Sequence, residues 1–160
     1  GVFIDIYPYD GLGTTEKEAV TYGMKGDRLS SLCYQSTREH FAIETTTSLF
    51  RKIIKYPIFI GSKLIGKDYF QKKLNQLVEL KEYEDSNYIG CVVWLSGGKK
   101  EIFLRKWFDE TVMVPFEKYQ FRVPKDYDEV LRHTYGDYMQ LPPEKDRIGH
   151  HYFKAYRKDE

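Results

Sequence analysis

The sequence predicts an α+β fold. Three features carry this expectation: β-rich apolar runs at Val2–Tyr7 and Tyr88–Leu95, helix-period apolar spacing across Lys67–Glu84, and two capping signatures, Thr15-x-x-Glu18 and Asp126-x-x-Glu129. Val2–Tyr7 alternates β-branched and aromatic residues around Asp5, the pattern of a strand. Pro8 ends it, because proline has no N–H for a ladder. Gly11-Leu12-Gly13 reads as a loop. Thr15 then opens a helix that runs toward Glu39, with Gly23 and Gly26 weakening its middle. A second helix is expected over Thr47–Tyr56, where Leu49, Phe50, Ile53 and Ile54 share a face, before Pro57 and Gly61 punctuate the chain. The third helix, Lys67–Glu84, sets Phe70, Leu74, Leu77 and Val78 at three- and four-residue spacing.

Tyr88–Leu95 reads as a buried strand ended by Gly97-Gly98, while Ile102–Phe108 fits neither period. Thr111–Pro115 and Tyr119–Val123 form a hairpin around Phe116-Glu117-Lys118. Asp126 caps a short helix that ends before Gly136, a residue suited to positive φ at a helix terminus. Beyond it, Pro142-Pro143 and a string of charges predict irregular surface chain. No repeat, low-complexity tract or linker interrupts residues 1–160, so a single domain is expected.

A chain of 160 residues, 41% hydrophobic and 31% charged, builds a core without disulfide or metal staples. Lys and Arg number 25 against 24 Asp and Glu, for a formal net charge of +1. That balance removes the electrostatic basis for nucleic-acid binding as the main function. No apolar run approaches the roughly 18 residues needed to cross a bilayer. Cys33 and Cys91 have no partner at metal-ligand spacing, so a reduced cytoplasmic protein with two buried thiols is expected. The opening GVFIDIYP has no charged n-region, cleavage site or initiator Met. A chain that opens directly on a core strand is expected to be the downstream part of a longer domain. The unusual quantity is aromatic content: 14 Tyr, 10 Phe and 2 Trp, 16% of the chain.

Asp5 is the sharpest chemical signal. It lies between Ile4 and Ile6, where an ionised acid must be paired, hydrogen-bonded or metal-bound. Asp10 follows after the proline turn, and two acids near a strand end suit a metal or general-base site, or else a salt bridge to a neighbouring element. In Tyr135-Gly136-Asp137-Tyr138 the tyrosines flank an acid and could wall a cation site, since aromatic faces attract quaternary ammonium groups; closing the core is the plainer role. His150 and His151 point to opposite sides of an extended segment, so at most one serves a given site. The pairs Arg51-Lys52, Lys72-Lys73 and Lys99-Lys100 read as solvated faces or as contacts to an anionic membrane surface or phosphate. No glycine-rich phosphate loop or nucleophile elbow is present.

Two segments carry a family resemblance. Gly1-Val-Phe-Ile-Asp-Ile-Tyr-Pro-Tyr-Asp10 resembles the "G-[IV]-F-[IL]-D-I-[FY]-P-x-D" segment of the LicD family, the lipopolysaccharide or teichoic-acid cholinephosphotransferases. Phe121–Glu129, Leu131 and Tyr135-Gly-Asp-Tyr-Met139 to Pro142-Pro143 resemble its C-terminal signature, preceded by Trp107-Phe108 and Pro115-Phe116-Glu117. The middle, about residues 12–90, resembles the family weakly. The family is similar to nucleotidyltransferase-fold enzymes and to the fukutin-type phosphotransferases. The resemblance implies a nucleotidyltransferase-like fold represented here by its C-terminal portion, without the upstream D-x-D half. It implies that Asp5 is the third metal-binding acid and a catalytic residue, with Mg2+ (or Mn2+) as cofactor.

The implied reaction moves phosphocholine from CDP-choline to a sugar hydroxyl of a cell-surface glycan. In that picture Asp10, Tyr135, Asp137, Tyr138, Arg147 and His150 bind substrate, and the 160 residues taken alone are inactive. The enzyme would work in the cytoplasm or at the cytoplasmic face of the inner membrane. Two rivals stand beside it: a non-catalytic glycan- or choline-binding module, and a LicD-like enzyme that transfers another group such as a polyol phosphate.

Overall fold

The computed structural model describes residues 6–41, 49–95, 98–141, 143–144 and 147. Four α-helices, two short 3-10 helices (Gly98–Glu101 and Arg105–Phe108) and two small antiparallel sheets make up this part of the chain. The mixed helix-and-sheet class matches the expectation; several element boundaries do not.

Residues 1–5 of the expected first strand, Asp5 included, lie outside the described residues, and Ile6 and Tyr7 are not in a strand. The first strand is instead β1, Asp10–Gly13, in the segment expected to be a loop. Its Leu12 is fully buried, and it pairs antiparallel with β2, Tyr88–Gly90, through Asp10 opposite Gly90 and Gly11 opposite Ile89. β2 pairs in turn with β3, Phe103–Leu104. The long strand expected over Tyr88–Leu95 therefore stops at Gly90, and the chain turns through Cys91–Leu95, where the Trp94 N–H donates to the Cys91 carbonyl at 3.0 Å.

That turn exists because of α1, Glu16–Thr37. Thr15 caps α1 as expected, its hydroxyl accepting from the Glu18 N–H at 3.3 Å. The Glu18 carboxylate accepts from the Thr14 N–H at 3.0 Å and pairs with Lys81, tying the helix start to the chain beyond α3. Gly23 and Gly26 do not weaken the helix; they are its contact face. A Cβ at Gly26 would overlap the Val92 carbonyl, and one at Gly23 would overlap Leu95. The core gathers at this seam: Leu12, Ala19, Leu77, Val92, Leu95 and Ile102.

The second helix, α2, runs Leu49–Ile65 and passes straight through Pro57 and Gly61, which were expected to end it. Pro57 cannot donate to the Ile53 carbonyl, but that residue is exposed, so water can accept the loss. α3, Lys67–Val78, starts where expected, ends before the expected Glu84, and buries Phe70, Leu74 and Leu77. α1 packs against both. Strands β4, Thr111–Phe116, and β5, Tyr119–Pro124, form the expected hairpin. α4, Tyr127–Tyr135, begins where the Asp126 signature predicts, but the Asp126 side chain makes no capping hydrogen bond. Gly136 ends it at φ 72°, with its N–H donating to the Arg132 carbonyl at 2.8 Å. Of the two cysteines, Cys91 is buried as expected, Cys33 only half-buried, and both are free thiols.

Candidate functional site

An open cleft of about 360 Å³ lies between the sheet and α4. Its sheet side carries Tyr7, Tyr9, Cys91, Trp94, Glu101 and Phe103. Val130, Leu131, Thr134 and Tyr135 line it from α4. Tyr9 leads into β1, and its ring centre lies 5.4 Å from those of Phe103 and Phe108. His133 holds α4 against this wall. Its ring sits 5.7 Å from Phe103 and 5.6 Å from Trp107, and its Nε2 lies 3.0 Å from the Lys99 carbonyl. A carbonyl only accepts, so Nε2 carries the proton in this contact.

The cleft is electronegative. The Glu101 Oε2 atom is buried and has no hydrogen-bond partner. Burial raises the Tyr9 phenol pKa, and Cys91, Glu101 and Tyr135 add to it. Burial also raises the Cys91 thiol, with the Trp94 and Val93 amides opposing and Asp10 and Glu101 adding to the rise. Asp10 lies beside Cys91; burial raises its carboxyl, and a hydrogen bond from the Val92 N–H partly offsets the rise. No Lys or Arg is found among the described residues that line the cleft. Aromatic faces, an unpaired carboxylate and no protein cation suit a positively charged group that needs few hydrogen bonds.

The expected site residues scatter around this cleft. Tyr135 stands at its mouth, 70% exposed. Asp10 is next to it through Cys91. Tyr138 turns away: its hydroxyl donates to Asp128 Oδ1 at 2.6 Å, and Arg132 Nε donates to Oδ2 at 2.7 Å. This closes the turn after α4 back onto its first turn and pulls the Asp128 carboxyl below its usual range, chiefly through Arg132. Asp137 is exposed and does not line the cleft. Arg147 is also exposed, its N–H donating to the Glu144 carbonyl at 3.2 Å, and it too does not line the cleft. Asp5 and His150 lie outside the described residues.

Glu101, Trp94 and Tyr9 escaped the sequence reading. Glu101 carried a usable signal, since it stands against the apolar pair Ile102-Phe103 much as Asp5 stands between isoleucines. Among the described residues, no group of three or more His, Cys, Asp or Glu side chains could hold a metal ion.

No protein-family profile matches the chain, and no solved structure matches it. A curated relative does. The chain is 32% identical over 157 residues, 97% of its own length, to the lipopolysaccharide cholinephosphotransferase LicD of Haemophilus influenzae strain ATCC 51907 / DSM 11121 / KW20 / Rd. It spans a little over half, 57%, of that protein. The alignment runs through the middle of the chain, where the motifs were weak, as well as through both ends. By sequence, the chain belongs to the LicD family.

Proposed function

We propose that this chain is part of a transferase that moves phosphocholine from CDP-choline to a sugar hydroxyl of a lipopolysaccharide-type glycan. The observation that carries the reading is the alignment of nearly the whole chain with a lipopolysaccharide cholinephosphotransferase. The acceptor oxygen attacks the choline-bearing phosphorus, a new P–O bond forms, the bond to the cytidine-bearing phosphate breaks, and CMP leaves. The acceptor proton passes to a base or to solvent. A divalent cation, Mg2+ or Mn2+, would neutralise phosphate charge when bound. In this reading it is assigned through Asp5, and no described residue set is assigned to it. A nucleotidyltransferase-like fold belongs to the same proposal.

The described residues supply binding and positioning. β1, β2 and the Gly98–Glu101 turn fix Tyr9, Trp94 and Glu101 on rigid backbone, and α4 is docked beside them through His133. No helix among the described residues is long and apolar enough to cross a membrane. α2 supports peripheral contact instead. Its sequence carries Arg51, Lys52, Lys55 and Lys63 and no acid, while Ile53 is 71% and Leu64 84% exposed. A basic, apolar, surface-lying helix matches an anionic lipid surface.

The test offers CDP-choline, CDP-ethanolamine and CDP-ribitol, with lipopolysaccharide acceptor and Mg2+, to the full-length protein. Acceptor-dependent CMP release with phosphocholine on the glycan is expected from CDP-choline. Transfer only from a CDP-polyol would replace the donor, and choline binding without any turnover would favour a binding module.

A further inference from the structure

We infer that the cleft between the sheet and α4 holds the trimethylammonium head of choline, with Glu101 as its counter-charge and selectivity determinant. The inference rests on the phosphocholine reading and assigns residues to one part of the substrate.

Three observations converge on it. The first is the buried Glu101 Oε2 with no partner. A carboxylate with a buried, unpartnered oxygen is poorly solvated, and a positive group in the cleft compensates it through charge rather than through a hydrogen bond. The second is composition: Tyr7, Tyr9, Trp94, Phe103 and Tyr135 surround that acid, and no Lys or Arg is among the described lining residues. The third is the exposure of Tyr7, Trp94 and Tyr135, at 51, 56 and 70%. These rings stand at an open mouth, whereas Tyr9 and Phe103 pack against each other beneath them.

Quaternary ammonium fits this chemistry better than other cations. A primary ammonium is compact and strongly hydrated, and the ring faces that dominate this wall do not replace the water its three N–H donors give up, even though the Thr134 hydroxyl, which donates to the Val130 carbonyl at 2.9 Å, keeps its lone pairs free to accept. Trimethylammonium donates no conventional hydrogen bond. It presents a large, weakly hydrated, positive surface that gains from ring faces and from one nearby carboxylate. Asp10, the other acid that acts on Cys91, is already bonded to the Val92 N–H.

The experiment measures binding without chemistry. Choline, ethanolamine and 3,3-dimethylbutan-1-ol, the neutral isostere of choline, are titrated into the full chain by chemical-shift perturbation or calorimetry. Choline is expected to bind at least about tenfold more tightly than the isostere and more tightly than ethanolamine. Glu101→Gln should collapse the choline-to-isostere ratio toward one. Tyr135→Ala, at an exposed position that does not threaten folding, should weaken choline several-fold. An equal affinity for choline and the isostere in the wild type would overturn the inference, as would a ratio unchanged by Glu101→Gln with melting temperature preserved. Displacement of choline by Mg2+ or Mn2+ in a Glu101-dependent manner would make Glu101 a metal ligand and overturn it too. Transfer from CDP-choline without this selectivity would remove the cage and leave the transferase reading standing. Selective choline binding without transfer would do the reverse.

Discussion

Helices α1 and α2 lie against each other and bury surface in opposite ways. α1 has little apolar character, yet Ala19, Gly23 and Gly26 are buried and its glycine face lets the Cys91–Leu95 turn approach its backbone. α2 is mostly apolar, but Phe59 and Ser62 are buried while Phe50, Ile53 and Leu64 stand 70% or more exposed. Burial here follows shape rather than hydrophobicity. The small residues of α1 make the close contact that holds the cleft-bearing turn, and the large residues of α2 are left for an outer surface.

The largest effect should come from filling the α1 groove. Gly26→Leu drives a side chain into the Val92 carbonyl, and a loss of about 3 kcal/mol is expected by chemical denaturation. The matched change in α2 has the other sign. A Cβ at Gly61 meets nothing within 4 Å, so Gly61→Ala should stabilise by about 0.5–1 kcal/mol. Equal effects at the two glycines would erase the contrast between the helices.

A smaller loss belongs to the α1 start. Thr15→Ala removes the acceptor for the Glu18 N–H and should cost about 1 kcal/mol in the same assay, with Thr15→Ser restoring most of it. No restoration by serine would mean that the hydroxyl is not what caps the helix. On α2, Ile53→Ser with Leu64→Ser should change stability by no more than about 0.5 kcal/mol. The same pair should reduce partitioning onto phosphatidylglycerol–phosphatidylethanolamine vesicles at least about tenfold, as two apolar side chains leave the interface. Loss of stability instead would show that this face is covered by protein.

The same contrast explains what the sequence revealed. The capping signature at Thr15, the hairpin at residues 111–124 and the turn at Gly136 were legible because each is a local interaction among residues a few positions apart. Gly23 and Gly26 were misread because their purpose lies in a turn some 66 residues away, the spacing from Gly26 to Val92. Pro57 was misread because helix termination depends on whether the orphaned carbonyl reaches water, which is a tertiary fact. Tyr135 was picked out by its chemistry and does line the cleft, whereas Glu101 joins it only because His133 docks α4 against the Lys99 carbonyl. Sequence neighbours of Tyr135 such as Tyr138 were drawn into the expectation by proximity along the chain, and the fold turns Tyr138 to Asp128 instead.

The smallest effect is a pH signature that separates the two acids near the α1 seam. Lys81, with help from the Thr14 amide, pulls the Glu18 carboxyl below its ordinary value. Its contribution to stability is present above the unfolded-state value of about 4.3 and is lost as pH falls through the depressed folded value. Asp10 has the opposite sign, because burial raises its folded pKa. Its contribution is complete below about 3.9 and is lost as pH rises through the raised value, so ionised Asp10 costs stability at neutral pH. Asp10→Asn keeps an acceptor for the Val92 N–H and discards the charge. Its melting temperature should exceed the wild type at pH 7 and lose that advantage near pH 3.5. Glu18→Gln should melt below the wild type at pH 7 and converge with it in acid. An Asp10→Asn variant that is less stable at pH 7 would mean that the carboxylate is paired in solution, which is the behaviour of a metal or substrate ligand rather than of an acid buried beside Cys91.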